Sequence, residues 1–215
     1  MTPRQLAGGC VFSDDILMKF ARWVERNGGD EGFTFVQVGA NDGMTDDDIC
    51  GYVRRFGWSG VLVEPLDDVF ERLRSNYSDV NDLRFVKSAI VPEAPSDGKV
   101  VFYRHPRYPQ CSGLTIETRM QRRAEMQEIE VQAITMRDLV ESYNIVRVDL
   151  LQIDVEGHDH EIVDAFPFNL VLPRCIRYES KHLDDLTHRS LVDKLSGLGY
   201  DSHLEGNDSV SYLKD

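Results

Sequence analysis

Three short blocks hold the residues whose types and spacing can do chemistry. In the first, the apolar run at 33–38 leads into Gly39-Ala40-Asn41-Asp42-Gly43. In the second, Val61-Leu62-Val63 leads into Glu64-Pro65. In the third, Leu150-Leu151-Gln152-Ile153-Asp154 leads into Val155-Glu156-Gly157-His158-Asp159. Glycines after a buried strand admit positive φ and let backbone approach a ligand where a Cβ would clash. An acid at the end of the next strand, about 20 residues on, accepts hydrogen bonds from ribose hydroxyls in open α/β sheets. Glu64 stands at about that interval from Gly43. The blocks read as a site for an adenosine-bearing cofactor. Its candidate residues are Gln37, Gly39, Ala40, Asn41, Asp42, Gly43 and Glu64, with Ser88 beside the adenine and Asp154 on the reactive side.

The turn is not G-x-G-x-x-G: the tight first pair and the third glycine are missing, which disfavours a pyrophosphate drawn onto a helix N-terminus. S-adenosylmethionine carries no phosphate and tolerates the wider turn. Methyl transfer from a sulfonium to a hydroxyl is an in-line displacement on carbon, for which the protein supplies alignment and removes a proton. Either a positioned base or a divalent cation can do the latter. His158, within the third block, and His182, three residues beyond Glu179, are base candidates because imidazole titrates near neutral pH; Asp154 is the third catalytic candidate. Asp154 and Glu179 each end a strand-like run. On neighbouring parallel strands they would offer oxygen ligands suited to Mg²⁺, with Glu156 or His182 nearby. The plainer reading is that Asp154 and Glu156 organise backbone amides and a neighbouring lysine or arginine such as Lys181. A non-catalytic cofactor-binding protein on the same fold, and a nucleotide-linked dehydrogenase, are the alternatives.

These residues need a sheet to hold them. Residues 1–30 read as a helical lead-in, with Ser13 capping a helix that carries Ile16, Leu17, Phe20 and Val24 on one face. Ile49, Tyr52, Val53 and Phe56 mark a helix after the first turn, with Asp46, Asp47 and Asp48 complementing its dipole from the first helical turn. Val69, Phe70, Leu73 and Tyr77 mark the next helix, and 83–90 a third strand. A short β segment at 100–103 precedes a polar, aromatic stretch at 104–128, read as a substrate-side insertion. A β segment at 129–134, a helix capped by Thr135, strands at 150–154 and 175–179, and two further helices follow. The tail reads as a hairpin around Glu205-Gly206-Asn207-Asp208. The alternation predicts the α/β class: one doubly wound domain over 1–215, mostly parallel, with an antiparallel edge.

The chain has 215 residues, 41% of them hydrophobic, enough for one substantial core. A formal charge of −13 argues against a general affinity for nucleic acid or an anionic membrane, both of which need a basic footprint, and leaves room for a small hydroxylated acceptor. No apolar run nears the roughly 18 residues of a membrane span, and the first residues lack a signal-peptide core, so a cytoplasmic protein is expected. Cys10, Cys50, Cys111 and Cys175 form no CxxC pair; reduced thiols are expected and structural zinc is not. Oligomeric state has no readable signal.

Taken together and in this order, Val36-Gln37-Val38-Gly39-Ala40-Asn41-Asp42-Gly43, Val61-Leu62-Val63-Glu64-Pro65 and Gln152-Ile153-Asp154-Val155-Glu156-Gly157 resemble the FkbM family of S-adenosylmethionine-dependent methyltransferases. Thr135-Met136-Arg137-Asp138-Leu139 resembles the family's Thr-Leu-Asp-x-Leu segment, and Cys111-Ser112-Gly113-Leu114 falls at its Ser/Gly-rich stretch. The resemblance runs from about Phe35 to the end of the chain. It implies a seven-stranded Rossmann-like sheet and O-methylation of a hydroxyl, often on a sugar or secondary metabolite. Two residues depart from the pattern: Gln37 stands where many methyltransferases have an acid, and the acid after the D-V-E-G block is Asp159.

Overall fold

A computed structural model describes residues 32–115, 125–181 and 183–214. The chain runs through β1 (Thr34–Val38), α1 (Cys50–Phe56), β2 (Ser59–Val63), α2 (Asp67–Asn76) and β3 (Leu83–Val86). It continues with β4 (Ala89–Ile90), β5 (Lys99–Arg104), a 3₁₀ turn (Pro109–Cys111), β6 (Gln127–Ile134) and α3 (Met136–Ser142). The last elements are β7 (Leu150–Ile153), α4 (Asp159–Asp164), β8 (Cys175–Glu179), α5 (Asp185–Gly197), β9 (Tyr200–Glu205) and β10 (Asp208–Leu213).

Seven strands form one mixed sheet in the order β3-β2-β1-β7-β8-β10-β9. The first five are parallel, and β10 runs antiparallel to both β8 and β9. This is the α/β sheet with an antiparallel C-terminal edge that the alternation predicts. The chain leaves β1 toward β2 on one side and reaches β7 on the other, so the order reverses between β1 and β7. Such a switch point leaves a crevice at the carboxyl ends of the strands.

The inner strands are covered on both faces and are therefore apolar almost throughout. Period-two alternation sorts their side chains. Phe35, Leu62 and Leu150 join Tyr52, Trp58, Leu73 and Tyr77 on one face. Val36, Val38, Val63, Leu151, Ile153 and Ile176 join Leu139, Ile162 and Leu195 on the other. Among inward positions on the first face, Gln37 and Gln152 are buried but polar.

Several expectations change. The strand expected over 83–90 breaks after Val86: β3 pairs with β2, whereas β4 pairs with β6 in a separate three-stranded sheet, β4-β6-β5. The acids at 46–48 precede α1, whose first turn holds no acid; Asp47 Oδ1 instead accepts from the N–H groups of Ile49 and Cys50 at 2.8 and 2.9 Å. Cys50 is disulfide-bonded, against the expectation of reduced thiols, because the pairing of scattered cysteines depends on the fold and not on their spacing; Cys175 is a buried free thiol. The helix at 13–27, Cys10, His182 and the 116–124 part of the insertion lie outside the described residues. No helix among the described residues is long and apolar enough to cross a membrane.

Candidate active site

A cleft of about 160 Å³ opens at the switch point. Its first wall is the turn after β1. The N–H groups of Gly39 and Ala40 both donate to the Val63 carbonyl at 3.0 Å, tying that turn to the end of β2. Gly39 has φ +80°, and a Cβ there would stand 1.8 Å from the Asp154 carbonyl oxygen. Gly43 has φ +70°, and a Cβ there would stand 2.4 Å from the Tyr77 ring. The room these glycines make is thus taken by protein, β7's exit at one and the end of α2 at the other. Gly39, Ala40 and Asn41 line the cleft, whereas Asp42 and Gly43 stand behind it. Asp42 shapes the turn, its carboxylate accepting from Met44 N–H, Thr45 N–H and Thr45 Oγ1.

Glu64 is buried in the cleft wall. Its Oε2 accepts from Asn41 N–H at 3.1 Å and its Oε1 from Leu66 N–H at 2.9 Å, so one carboxylate holds the β1 and β2 loops together. Burial pushes its pKa up to about 7 against these two donors. Ser88, between β3 and β4, is buried and lines the cleft beside an apolar group of Leu66, Ala89, Ile90 and Phe102. The connection after β5 closes that side through Pro109, Gln110 and Ser112. It is held by His105, fully buried, whose Nδ1 accepts from Arg107 N–H at 3.2 Å and Tyr108 N–H at 3.1 Å, while His105 N–H donates to Ser112 Oγ at 3.0 Å.

The opposite side, under β1, β7 and β8, is polar. Gln37, Gln152 and Arg177 are register neighbours across three parallel strands. Gln37 Nε2 donates to Asp47 Oδ2 at 3.3 Å, and Arg177 pairs with Asp48 and Asp208. The Oε1 atoms of Gln37 and Gln152 are buried with no hydrogen-bond partner among the described residues.

Asp154 follows β7 directly and is exposed to the cleft while set deep among protein atoms. Burial raises its pKa to about 6, helped by the negative charges of Glu179 and Asp208. Glu179 ends β8 on the same edge and pairs with Lys181. Asp159 is buried, its carboxylate accepting from Val155 N–H at 3.4 Å and Gly157 N–H at 3.2 Å, and burial first, then Asp154, raises its pKa to about 8. It is this acid that organises the backbone of the D-V-E-G turn, where Glu156 has φ +57° and Gly157 φ +109°. His158 stands at the N-terminus of α4, half-buried and outside the cleft lining, and burial lowers its pKa. No group of three or more His, Cys, Asp or Glu among the described residues is arranged to hold a metal.

The structure brings together Gln37, the 39–41 turn, Glu64, Ser88 and Asp154. Sequence alone assigns no site role to Asp47 or Gln152; Pro109 and Gln110 fall in the stretch expected as a substrate-side insertion, and they line the cleft. The one available signal for Gln152 was a polar residue inside an otherwise apolar strand.

The folded chain resembles solved methyltransferases. One is the N-terminal domain of human METTL16 in complex with SAH, at 10% identity over 93% of this chain and 69% of that one, with a TM-score of 0.50. Another is the METTL16 methyltransferase domain in a second crystal form, at 12% identity over 93% and 68%, with a TM-score of 0.50. At such identities the likeness defines the fold class, an α/β methyltransferase-like sheet. The model of the methyltransferase FkbM domain matches residues 37–202. The chain therefore belongs to the FkbM methyltransferase family and is an S-adenosylmethionine-dependent methyltransferase. No curated protein sequence matches the chain.

Proposed function

We propose that this enzyme methylates a hydroxyl of a small acceptor, such as a sugar or secondary metabolite, and that Asp154 takes the hydroxyl proton. The observation that carries the reading is the position of Asp154: it leaves β7 at the switch point and opens into the cleft. With its pKa near 6, it is ionised at neutral pH and more basic than an ordinary carboxylate, which suits a general base.

The residues of the cleft fit the cofactor. On the β2 side a buried carboxylate, Glu64, stands beside apolar Leu66, Ala89, Ile90 and Phe102, suited to ribose hydroxyls and an adenine ring; Ser88 would meet the ring edge. On the β1–β7 side, unpartnered amide oxygens suit a ligand rich in donors. When bound, S-adenosylmethionine supplies a methyl group on a positively charged sulfur. The acidic rim and the −13 charge support a neutral acceptor over nucleic acid or a membrane surface.

Activation by Mg²⁺ on Asp154 and Glu179 is the competing reading, and the Glu179–Lys181 pair stands against it. Asp154→Asn should lower kcat by about 100-fold or more while S-adenosylhomocysteine still binds. Turnover, followed as S-adenosylhomocysteine release with a panel of sugars and hydroxylated metabolites, should survive chelation. Loss on chelation with rescue by Mg²⁺ would return the metal. Wild-type turnover in the Asp154 variant together with its loss in His158→Ala would move the base to His158. An acceptor product methylated on nitrogen or carbon would overturn the hydroxyl assignment.

A further inference from the structure

We propose that Asp47, oriented by Gln37 and flanked by Gln152, is the anchor for the ammonium of the cofactor's amino-acid end. The inference rests on the cofactor reading above. At the strand position where many methyltransferases have an acid, the chain has an amide, Gln37. The amide points its donor at Asp47, so the negative charge enters the cleft from the loop before α1 and not from β1. Asp47 Oδ1 is engaged by the start of α1, while Oδ2 faces Gln37.

The register of the sheet explains why a ligand belongs here. Gln37, Gln152 and Arg177 form three adjacent rungs. The outer rungs each hold an acid, Asp47 on Gln37 and Asp48 on Arg177. The middle rung, Gln152, is 7% exposed, and its Oε1 has no partner among the described residues; Gln37, 6% exposed, leaves its own Oε1 in the same condition. Buried amide oxygens without donors are costly. Both glutamines and Asp47 line the cleft. Three acceptor-bearing side chains in one cleft lining, with Arg177 already balanced by Asp48 and Asp208, suit a compact group carrying several N–H donors and a positive charge. A primary ammonium is such a group.

The test compares two ligands by calorimetry. S-adenosylhomocysteine has the nucleoside, the sulfur and the ammonium; 5′-methylthioadenosine has the first two only. Asp47→Asn, checked for folding by circular dichroism, should weaken S-adenosylhomocysteine about tenfold or more and leave 5′-methylthioadenosine within about twofold. Moving the charge back to the strand, in Gln37→Glu/Asp47→Asn, should restore most of the lost affinity. Gln152→Leu, which leaves the start of α1 untouched, should show the same selective loss if the Asp47 variants fail to fold. Equal weakening of both ligands, or no weakening of either, overturns the anchor. Failure of the wild-type protein to bind either ligand would instead overturn the cofactor reading beneath it.

Discussion

A Cβ at residue 39 has nowhere to go. The backbone is left-handed there, at φ +80°, and the Asp154 carbonyl oxygen lies 1.8 Å from where the atom would sit. Gly39→Ala should therefore destabilise the fold by about 3 kcal/mol or more, read from urea unfolding, since it combines strain at positive φ with a backbone clash. A variant of wild-type stability would mean the turn relaxes freely. Because the same turn carries Asn41 onto Glu64, cofactor affinity should fall with stability. Gly39, Glu64 and Asp154 were legible in the sequence because each follows a strand-like run at a telling interval. Asp47 and Gln152 were not, for a physical reason. Their meaning depends on β1 lying beside β7, a pairing between residues more than a hundred positions apart. Taken alone, Asp47 looks like any acid near a helix start.

At the scale of elements, the connection after β5 belongs to the expected insertion, and it is folded against the cleft. The Tyr103–Gly113 bridge closes its base, and the His105 ring holds the loop within it. His105→Ala removes the acceptor for the N–H groups of Arg107 and Tyr108, a local loss of about 1–3 kcal/mol. We expect faster proteolytic nicking between residues 105 and 113 and weaker S-adenosylhomocysteine binding, with the main unfolding transition little changed. Nicking at the wild-type rate would show that other contacts hold the segment. Most strands and helices were legible from periodicity, including Thr135 as a cap, whose side chain accepts from Asp138 N–H in a capping box. The break at Lys87-Ser88 was not, since an apolar run says that a segment is buried but not which sheet it joins. The start of α1 was misplaced because acids that cap from outside and acids within a first turn have the same sequence signature.

For the whole molecule, four carboxyls, Glu64 and Asp159 buried and Asp47 and Asp154 set in the cleft wall, shift in one direction. Asp47 and Asp154 are raised to about 6, Glu64 to about 7 and Asp159 to about 8, with burial the largest cause in each. Each binds its proton more tightly folded than unfolded, where carboxyls titrate at about 4. Their contribution is present at low pH and is lost as pH rises through 6 to 8. The −13 charge adds self-repulsion in the same direction. The ligand-free protein should accordingly show a thermal midpoint that falls between pH 5 and 8, and Asp159→Asn should flatten the upper part of that fall. A midpoint that climbs over this range would contradict the upward shifts of these groups. The sequence marks Glu64 and Asp154 as site residues and shows the net charge, but the direction of the four shifts depends on what the fold packs around each acid.

Glu64 gives one oxygen to each of two loops, and that small fact reaches furthest. The socket is stitched shut at its hinge before any guest arrives, so the entropy of ordering it is lost when the chain folds and not when a visitor docks. Recognition then becomes a matter of swapping solvent for ligand inside a standing mould.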